Sequence, residues 1–138
     1  MTPQKQERLF RKEYSVELLA IAKDDFRTAQ FLFRGFKSAE IRAENLFYAC
    51  QQSIEKALKS VLCHYEIPIP LVHDLGILVA KLPAISNPQF GYEIDSLSEF
   101  AGVRRYELGK VDLSVEEAEE VLQLNEFVLN WAGCIVGK

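Results

Sequence analysis

Helical periodicity is the feature that most constrains this chain, because apolar residues recur at steps of three and four along nearly its whole length. This spacing predicts one amphipathic helix with Ser15 as its N-cap and Gly35 as its end. A second helix is predicted from about Ala39 to Tyr65, since Pro68 and Pro70 forbid its continuation. No run alternates apolar and polar residues for long enough to predict a convincing strand. The predicted fold class is therefore all-α, an antiparallel up-and-down bundle of about five helices.

The other three predicted helices are shorter or carry clear start signals. Asp74 is a candidate cap for a short helix that Pro83 ends, and a fourth helix is predicted from about Glu93 to Tyr106. The last helix opens with a capping box at Ser114 and Glu117 and runs to about Val136.

Length and composition fit one domain over residues 1–138. A hydrophobic fraction of 49% with 26% charged residues is ordinary for a globular protein and excludes a disordered or disulfide-dense chain. No apolar stretch reaches the roughly 20 residues that span a bilayer, and the first 14 residues carry charges where a signal peptide is apolar, so we expect a cytoplasmic protein with no membrane association. The three cysteines are Cys50, Cys63 and Cys134. Because their number is odd and they form no CxxC pair, we expect them to be buried apolar residues and not a metal site. No cofactor is expected.

Charge is distributed unevenly, with a net +3 through Lys59 and −7 from Ser60 onward. Such a chain is a poor candidate for indiscriminate nucleic-acid binding, so no DNA partner is expected, although a local basic patch on the first half stays open. The alternative is that the two halves attract each other within the bundle or across a dimer. Several aromatic residues fall outside or at the edges of the apolar stripes and suggest a dimer interface: Phe10, Phe31, Phe36 and Phe90.

The polar face of the second helix is the first candidate site. A helical wheel gathers five side chains opposite the apolar stripe, with Gln51 on its border: Tyr48, Gln52, Glu55, Lys56 and Lys59. Two lysines beside amides and a tyrosine can hold a phosphate or a base. The alternative is a solvated face with a Glu55–Lys59 pair worth only about 0.3–0.5 kcal/mol.

Two further clusters carry candidate residues. Arg104, beside Arg105 and Tyr106, falls on the inward stripe of the fourth helix and needs either an acidic partner or a bound anion. The candidate acidic partners are Glu55, Asp74 and Glu99. His73 is a possible proton carrier near neutral pH, while Asp74 beside it is more simply explained as a helix cap.

These segments, taken in order, resemble the HEPN domain family over about Ser15 to Trp131. The resemblance rests on the Gln-Gln-x-x-Glu-Lys-x-x-Lys helix, then His-Asp-Leu from His73, then Arg-Arg-Tyr from Arg104. It implies a helical bundle that forms a homodimer, often encoded beside a minimal nucleotidyltransferase in a toxin–antitoxin-like pair, with nucleotides or RNA as ligands. It also implies the following binding residues: Gln51, Gln52, Glu55, Lys56, Lys59, His73, Asp74, Arg104, Arg105 and Tyr106.

One departure from the family pattern changes the expected activity. HEPN ribonucleases resemble one another in an Arg followed after four to six residues by His, and neither His64 nor His73 follows an arginine at that interval. The general acid/base that RNA cleavage needs is thus missing from its usual place. The sequence therefore favours a non-catalytic nucleotide- or RNA-binding module. A metal-independent ribonuclease toxin using His73 and Arg104, and a pure protein-interaction module, are the alternatives.

Overall fold

Helices make up most of the described chain, which in this computed structural model comprises residues 6–90, 93, 94, 97 and 113–137. The elements in chain order are the strand β1 (Glu7–Arg8), the helices α1 (Tyr14–Lys37) and α2 (Ala43–His64), the strand β2 (Ile69–Pro70), the helix α3 (Leu75–Ala80), a 3₁₀ turn (Ala84–Ser86) and the helix α4 (Val115–Val136). The predicted all-α helical bundle is confirmed.

Contacts between α1 and α2 fix their relative direction. Ser53 of α2 bonds to Ala22 of α1, and Cys63, further along α2, bonds to Arg11, which precedes α1. From Ser53 to Cys63 the residue number rises along α2, while the number of the bonded residue falls from Ala22 to Arg11. The two helices therefore run antiparallel. The short connection of residues 38–42 leaves them no other simple arrangement.

The last helix, α4, runs in the same direction as α2 and packs against both α1 and α2. Its Ala118 lies in a cluster with Leu46 near the start of α2, while Asn125, two turns later, bonds to Ser53 in the middle of α2. α2 also packs against β2 and α3, and more than half of its residues are buried. It is therefore the central helix, with little surface left to water.

Both predicted ends of the first helix are wrong. The N-cap position is Glu13, without a side-chain hydrogen bond, while Ser15 is buried inside the first turn. Gly35 lies within α1, and a Cβ at this position would overlap the side chain of Ile41. The glycine thus admits the returning chain and does not stop the helix.

α2 begins at Ala43, four residues later than predicted. Ala39 adopts a left-handed φ of 61° and Arg42 is extended, so residues 39–42 form the turn and not the first helical turn. A short antiparallel ladder, which the sequence did not predict, pairs Glu7 with Pro70 and Arg8 with Ile69. It ties the segment before α1 to the segment after α2.

Two predicted helix caps are confirmed. Asp74 Oδ1 accepts a hydrogen bond from the Ile77 amide at 3.2 Å at the start of α3. Ser114 and Glu117 form the capping box of α4, with hydrogen bonds of 3.0 and 3.1 Å. Most of the predicted fourth helix lies outside the described residues; Glu93, Ile94 and Leu97 are helical where it is described.

Phe90 corrects the expectation of an exposed aromatic residue. It is 1% exposed, and its ring packs edge to face on Trp131 at 4.7 Å between centroids. Phe31 is exposed as predicted, whereas Phe10 and Phe36 pack against the core.

Cysteine burial follows the prediction only in part. Cys50 and Cys63 are buried, and burial raises the pKa of the Cys50 thiol to about 12. Cys134 is exposed, contrary to the prediction, because it falls on the outer side of α4. None of the described helices has the length and apolarity to span a membrane.

Candidate functional site

A buried carboxylate lies at the centre of the predicted polar face of α2. The side chain of Glu55 is 1% exposed, so the alternative of a solvated face is wrong for Glu55, although the Glu55–Lys59 pair of that alternative is present. The helical wheel assumed that α2 is covered on one side only. In the structure, β2 and α3 also pack against α2, on a different side from α1. Glu55 is therefore an interior charge that needs partners.

Three side chains supply those partners. Lys56 Nζ and Lys59 Nζ lie 3.1 and 3.2 Å from Glu55 Oε2, and His73 Nδ1 lies 2.9 Å from Glu55 Oε1. Lys56 also donates to Gln52 Oε1 at 3.2 Å. Both carboxylate oxygens are thus satisfied, and the two ammonium groups are held side by side.

Opposing influences act on the protonation of Glu55. Burial by itself would raise its pKa, but the hydrogen bond from His73 and the charges of Lys59 and Lys56 outweigh burial and lower the pKa. Glu55 is ionised at neutral pH. His73 Nδ1 therefore carries the proton of their hydrogen bond.

Asp25 of α1 behaves in the opposite way. Its pKa is raised, mainly because partial burial disfavours the charged form, while the charge of Lys56 acts against that rise and the charges of Asp24 and Glu55 add to it. Lys56 therefore acts electrostatically on two carboxylates, one with a lowered pKa and one with a raised pKa.

The lysines reach the surface although Glu55 does not. Their side chains are 24% and 14% exposed for Lys56 and Lys59, and each ammonium group has three hydrogens to donate. Within the described chain, Lys59 donates one of its three hydrogens to Glu55. An anion arriving from solvent would find both charge and unused donors here.

A cavity of about 180 Å³ adjoins the same lysines, and Lys56 and Lys59 form part of its lining. Its other lining residues are apolar or aromatic: Phe10, Tyr14, Leu18, Ile69 and Leu71. Sequence reasoning missed this cavity, because the β1–β2 ladder that brings the segment around Phe10 next to α2 joins residues about sixty positions apart.

The remaining predicted site residues divide into three groups. Gln52 contacts Lys56, whereas Gln51 is half-buried on the same helix and Tyr48 is 56% exposed. Asp74 is exposed and caps α3, while its neighbour His73 bonds to Glu55. The predicted cluster of Arg104, Arg105 and Tyr106 lies outside the described residues.

A second buried polar cluster, which was also missed, lies at the crossing of the three long helices. Ser53 Oγ donates to the Ala22 carbonyl at 2.7 Å, and Asn125 Nδ2 donates to Ser53 Oγ at 2.8 Å. Asn125 is fully buried, and its Oδ1 has no partner within the described chain. A polar residue at an otherwise apolar helical position was the signal that could have found it.

These features define an all-α bundle in which the buried glutamate of a Gln-x-x-Glu-Lys-x-x-Lys helix bonds to both lysines, and in which a His-Asp pair precedes the next helix. The model of the HEPN domain matches residues 15–135, most of the chain. The protein belongs to the HEPN family. Comparison with curated proteins and with solved structures gives no match.

Proposed function

We propose that this protein is a nucleotide- or RNA-binding HEPN module in which Lys56 and Lys59 bind phosphate. The observation that carries the proposal is the buried Glu55 carboxylate, which fixes two ammonium groups beside an aromatic cavity. Glu55 balances only one of the two ammonium charges that it bonds to, and held side chains lose less entropy on binding than free ones. Gln52 accepts a hydrogen bond from Lys56, and Asp74, which follows His73, caps α3.

The module is non-catalytic in this proposal and acts as a cytoplasmic homodimer together with a minimal nucleotidyltransferase. Family membership supports a role with nucleotides or RNA. The missing Arg-x4–6-His spacing argues against cleavage. Arg105 is proposed to neutralise phosphate together with the lysines, Gln51 to offer an amide contact, and Arg104 to brace the site.

Titration calorimetry with ATP, GTP and a short single-stranded RNA tests the proposal. The variant Lys56→Gln/Lys59→Gln removes both positive charges, while its amides can still donate to Glu55. The control variant Lys23→Gln removes one positive charge from an exposed position on the other helix, α1. Saturable binding that the double variant loses and Lys23→Gln keeps supports the proposal. Equal binding by all three proteins, or no binding by the parent protein, contradicts it.

A ribonuclease is the second candidate, and one observation favours it. Glu55 holds His73 through Nδ1, the side chain of His73 is 84% exposed, and its Nε2 bonds to none of the described residues. An oriented imidazole with an open nitrogen is the arrangement of a general base, which would take the proton of an RNA 2′-hydroxyl as its oxygen attacks the neighbouring phosphorus. The bond from phosphorus to the 5′-oxygen of the next nucleotide would break, that oxygen would take a proton from water, and a 2′,3′-cyclic phosphate would remain.

Cleavage assays separate the two candidates. Incubation of end-labelled RNA with the protein and with His73→Ala, each checked for intact fold by circular dichroism, shows whether His73 is catalytic. Cleavage that disappears in His73→Ala establishes the ribonuclease. Intact RNA with the parent protein, or equal cleavage by both, excludes this role for His73.

A further inference from the structure

The cavity beside the lysine pair has two chemically different sides. Among the described residues that line it, five are apolar or aromatic and the other two are Lys56 and Lys59. A ligand that fills it must therefore combine an apolar body with a negative charge at one end. Sugars and free inorganic anions lack the apolar body, and lipids lack the compact shape.

Size restricts the ligand further. Pockets that enclose a drug-sized molecule measure roughly 300–1,000 Å³, whereas this cavity measures about 180 Å³. It holds one flat ring and leaves the rest of a larger ligand outside. A nucleotide placed in this way has its base inside and its sugar and phosphate at the opening.

Two of the lining residues, Phe10 and Tyr14, belong to a stack of flat groups. The rings of Phe10 and Tyr14 are stacked, with centroids 5.2 Å apart, and the Arg8 guanidinium lies 4.9 Å from the centroid of Phe10. Tyr14 is 37% exposed at the end of this series. Proteins that bind single-stranded nucleic acid use aromatic rings and arginine in this manner, since every base has a face that can stack.

From this juxtaposition we propose that the cavity holds one unpaired nucleobase against the ring of Tyr14, with the phosphate of the same nucleotide on Lys56 and Lys59. The inference rests on the proposed function and specifies its ligand as a mononucleotide or a terminal nucleotide of single-stranded RNA. Among the described residues that line the cavity, only the lysines and Tyr14 carry polar side-chain groups that could read the base edge, so we expect weak discrimination among bases.

Calorimetry with AMP, ribose 5-phosphate and a 5′-phosphorylated single-stranded RNA tests this inference. The key variant is Tyr14→Ala, and Phe31→Ala is its matched control, because Phe31 is an aromatic residue of the same helix with 73% exposure. AMP is expected to bind at least tenfold more tightly than ribose 5-phosphate. Tyr14→Ala removes that advantage and leaves ribose 5-phosphate binding unchanged, while Phe31→Ala changes neither.

A second variant covers the case in which Tyr14→Ala fails to fold. Leu71 is 49% exposed, and Leu71→Glu places a negative charge in the cavity lining, which is expected to weaken AMP binding at least tenfold. The RNA arm identifies the source of the nucleotide: RNA bound more tightly than AMP indicates a chain end, and AMP bound at least as tightly indicates a free mononucleotide.

Failure of this inference can be distinguished from failure of the proposed function. Equal affinity for AMP and ribose 5-phosphate, with both lost in Lys56→Gln/Lys59→Gln, overturns the base pocket and leaves phosphate binding by the lysines intact. Binding of none of the three ligands overturns both. An apolar peptide carboxylate that binds where AMP does not also overturns the inference.

Discussion

Two buried polar clusters lie two residues apart on the central helix α2, and they differ in how they use their hydrogen-bonding groups. The cluster of Ser53, Asn125 and the Ala22 carbonyl is neutral and lies wholly inside the bundle. The cluster of Glu55 with Lys56, Lys59 and His73 is charged, and only its carboxylate is interior.

The difference teaches that burial of a polar group does not by itself mark function. Ser53 directs its donor and its acceptor inward, which fixes the register of three helices and offers nothing to a ligand. Glu55 instead holds cations whose remaining donors face outward. The predictions below separate a structural cluster from a binding cluster.

Replacing Glu55 by Gln is expected to cause the largest loss of stability, about 3 kcal/mol. The variant puts an amide NH₂ among ammonium and imidazole donors and removes the charge that holds both lysines. Urea unfolding followed by circular dichroism measures this effect. An unchanged unfolding midpoint would show that the buried carboxylate contributes nothing to stability and would contradict its role as an interior charge held by its partners.

Replacing Asn125 by Ala is expected to cost about 2 kcal/mol, because the side chain is fully buried and donates to Ser53. Its unpaired Oδ1 limits the loss, since removing that atom relieves a desolvated group. RNA affinity of the folded variant stays the same. A folded Asn125→Ala protein with weakened RNA binding would break the distinction between the clusters.

Acid pH is expected to destabilise the protein through Glu55. Its pKa in the folded protein lies below the ordinary value of 4.5, so its contribution to stability is fully present above that pH and is lost as pH falls through the folded value. Thermal unfolding from pH 7 downward should show this decline, and Glu55→Gln should show less of it. Parallel profiles for the two proteins would contradict the assignment.

Replacing Asp25 by Asn is expected to cause the smallest change in stability, and this change is an increase. Because the pKa of Asp25 is raised in the folded protein, its ionised form opposes folding at neutral pH, and that cost disappears as pH falls. Asp25→Asn is expected to stabilise the protein at pH 7 by less than about 1 kcal/mol. Differential scanning calorimetry checks the sign, and a lower melting temperature at pH 7 would refute it.

Local signals made the helices predictable. The capping box of Ser114 and Glu117 and the Asp74 cap depend on residues three positions apart, and both are present in the structure. Gly35 misled the prediction because its role is to admit Ile41, a contact that a stop-signal rule does not consider.

The site was predictable only as a set of residue types. The resemblance brought Gln52, Glu55, Lys56, Lys59 and His73 together, and the structure joins them by hydrogen bonds. The burial of Glu55 and the aromatic cavity were not predictable, because they depend on the pairing of β1 with β2 and on the path of the chain into α3.

Salt dependence of RNA binding is the measurement that tests the central claim most directly. The affinity for a short single-stranded RNA would be measured at several salt concentrations for the parent protein, Lys59→Gln and the control Lys23→Gln. Lys59→Gln loses one phosphate contact, so the negative slope of log K against log salt is expected to become shallower by about 0.7. The slope of Lys23→Gln is expected to equal that of the parent protein. Equal slopes for all three proteins, or an equal reduction in both variants, would contradict phosphate binding by the lysines that Glu55 holds.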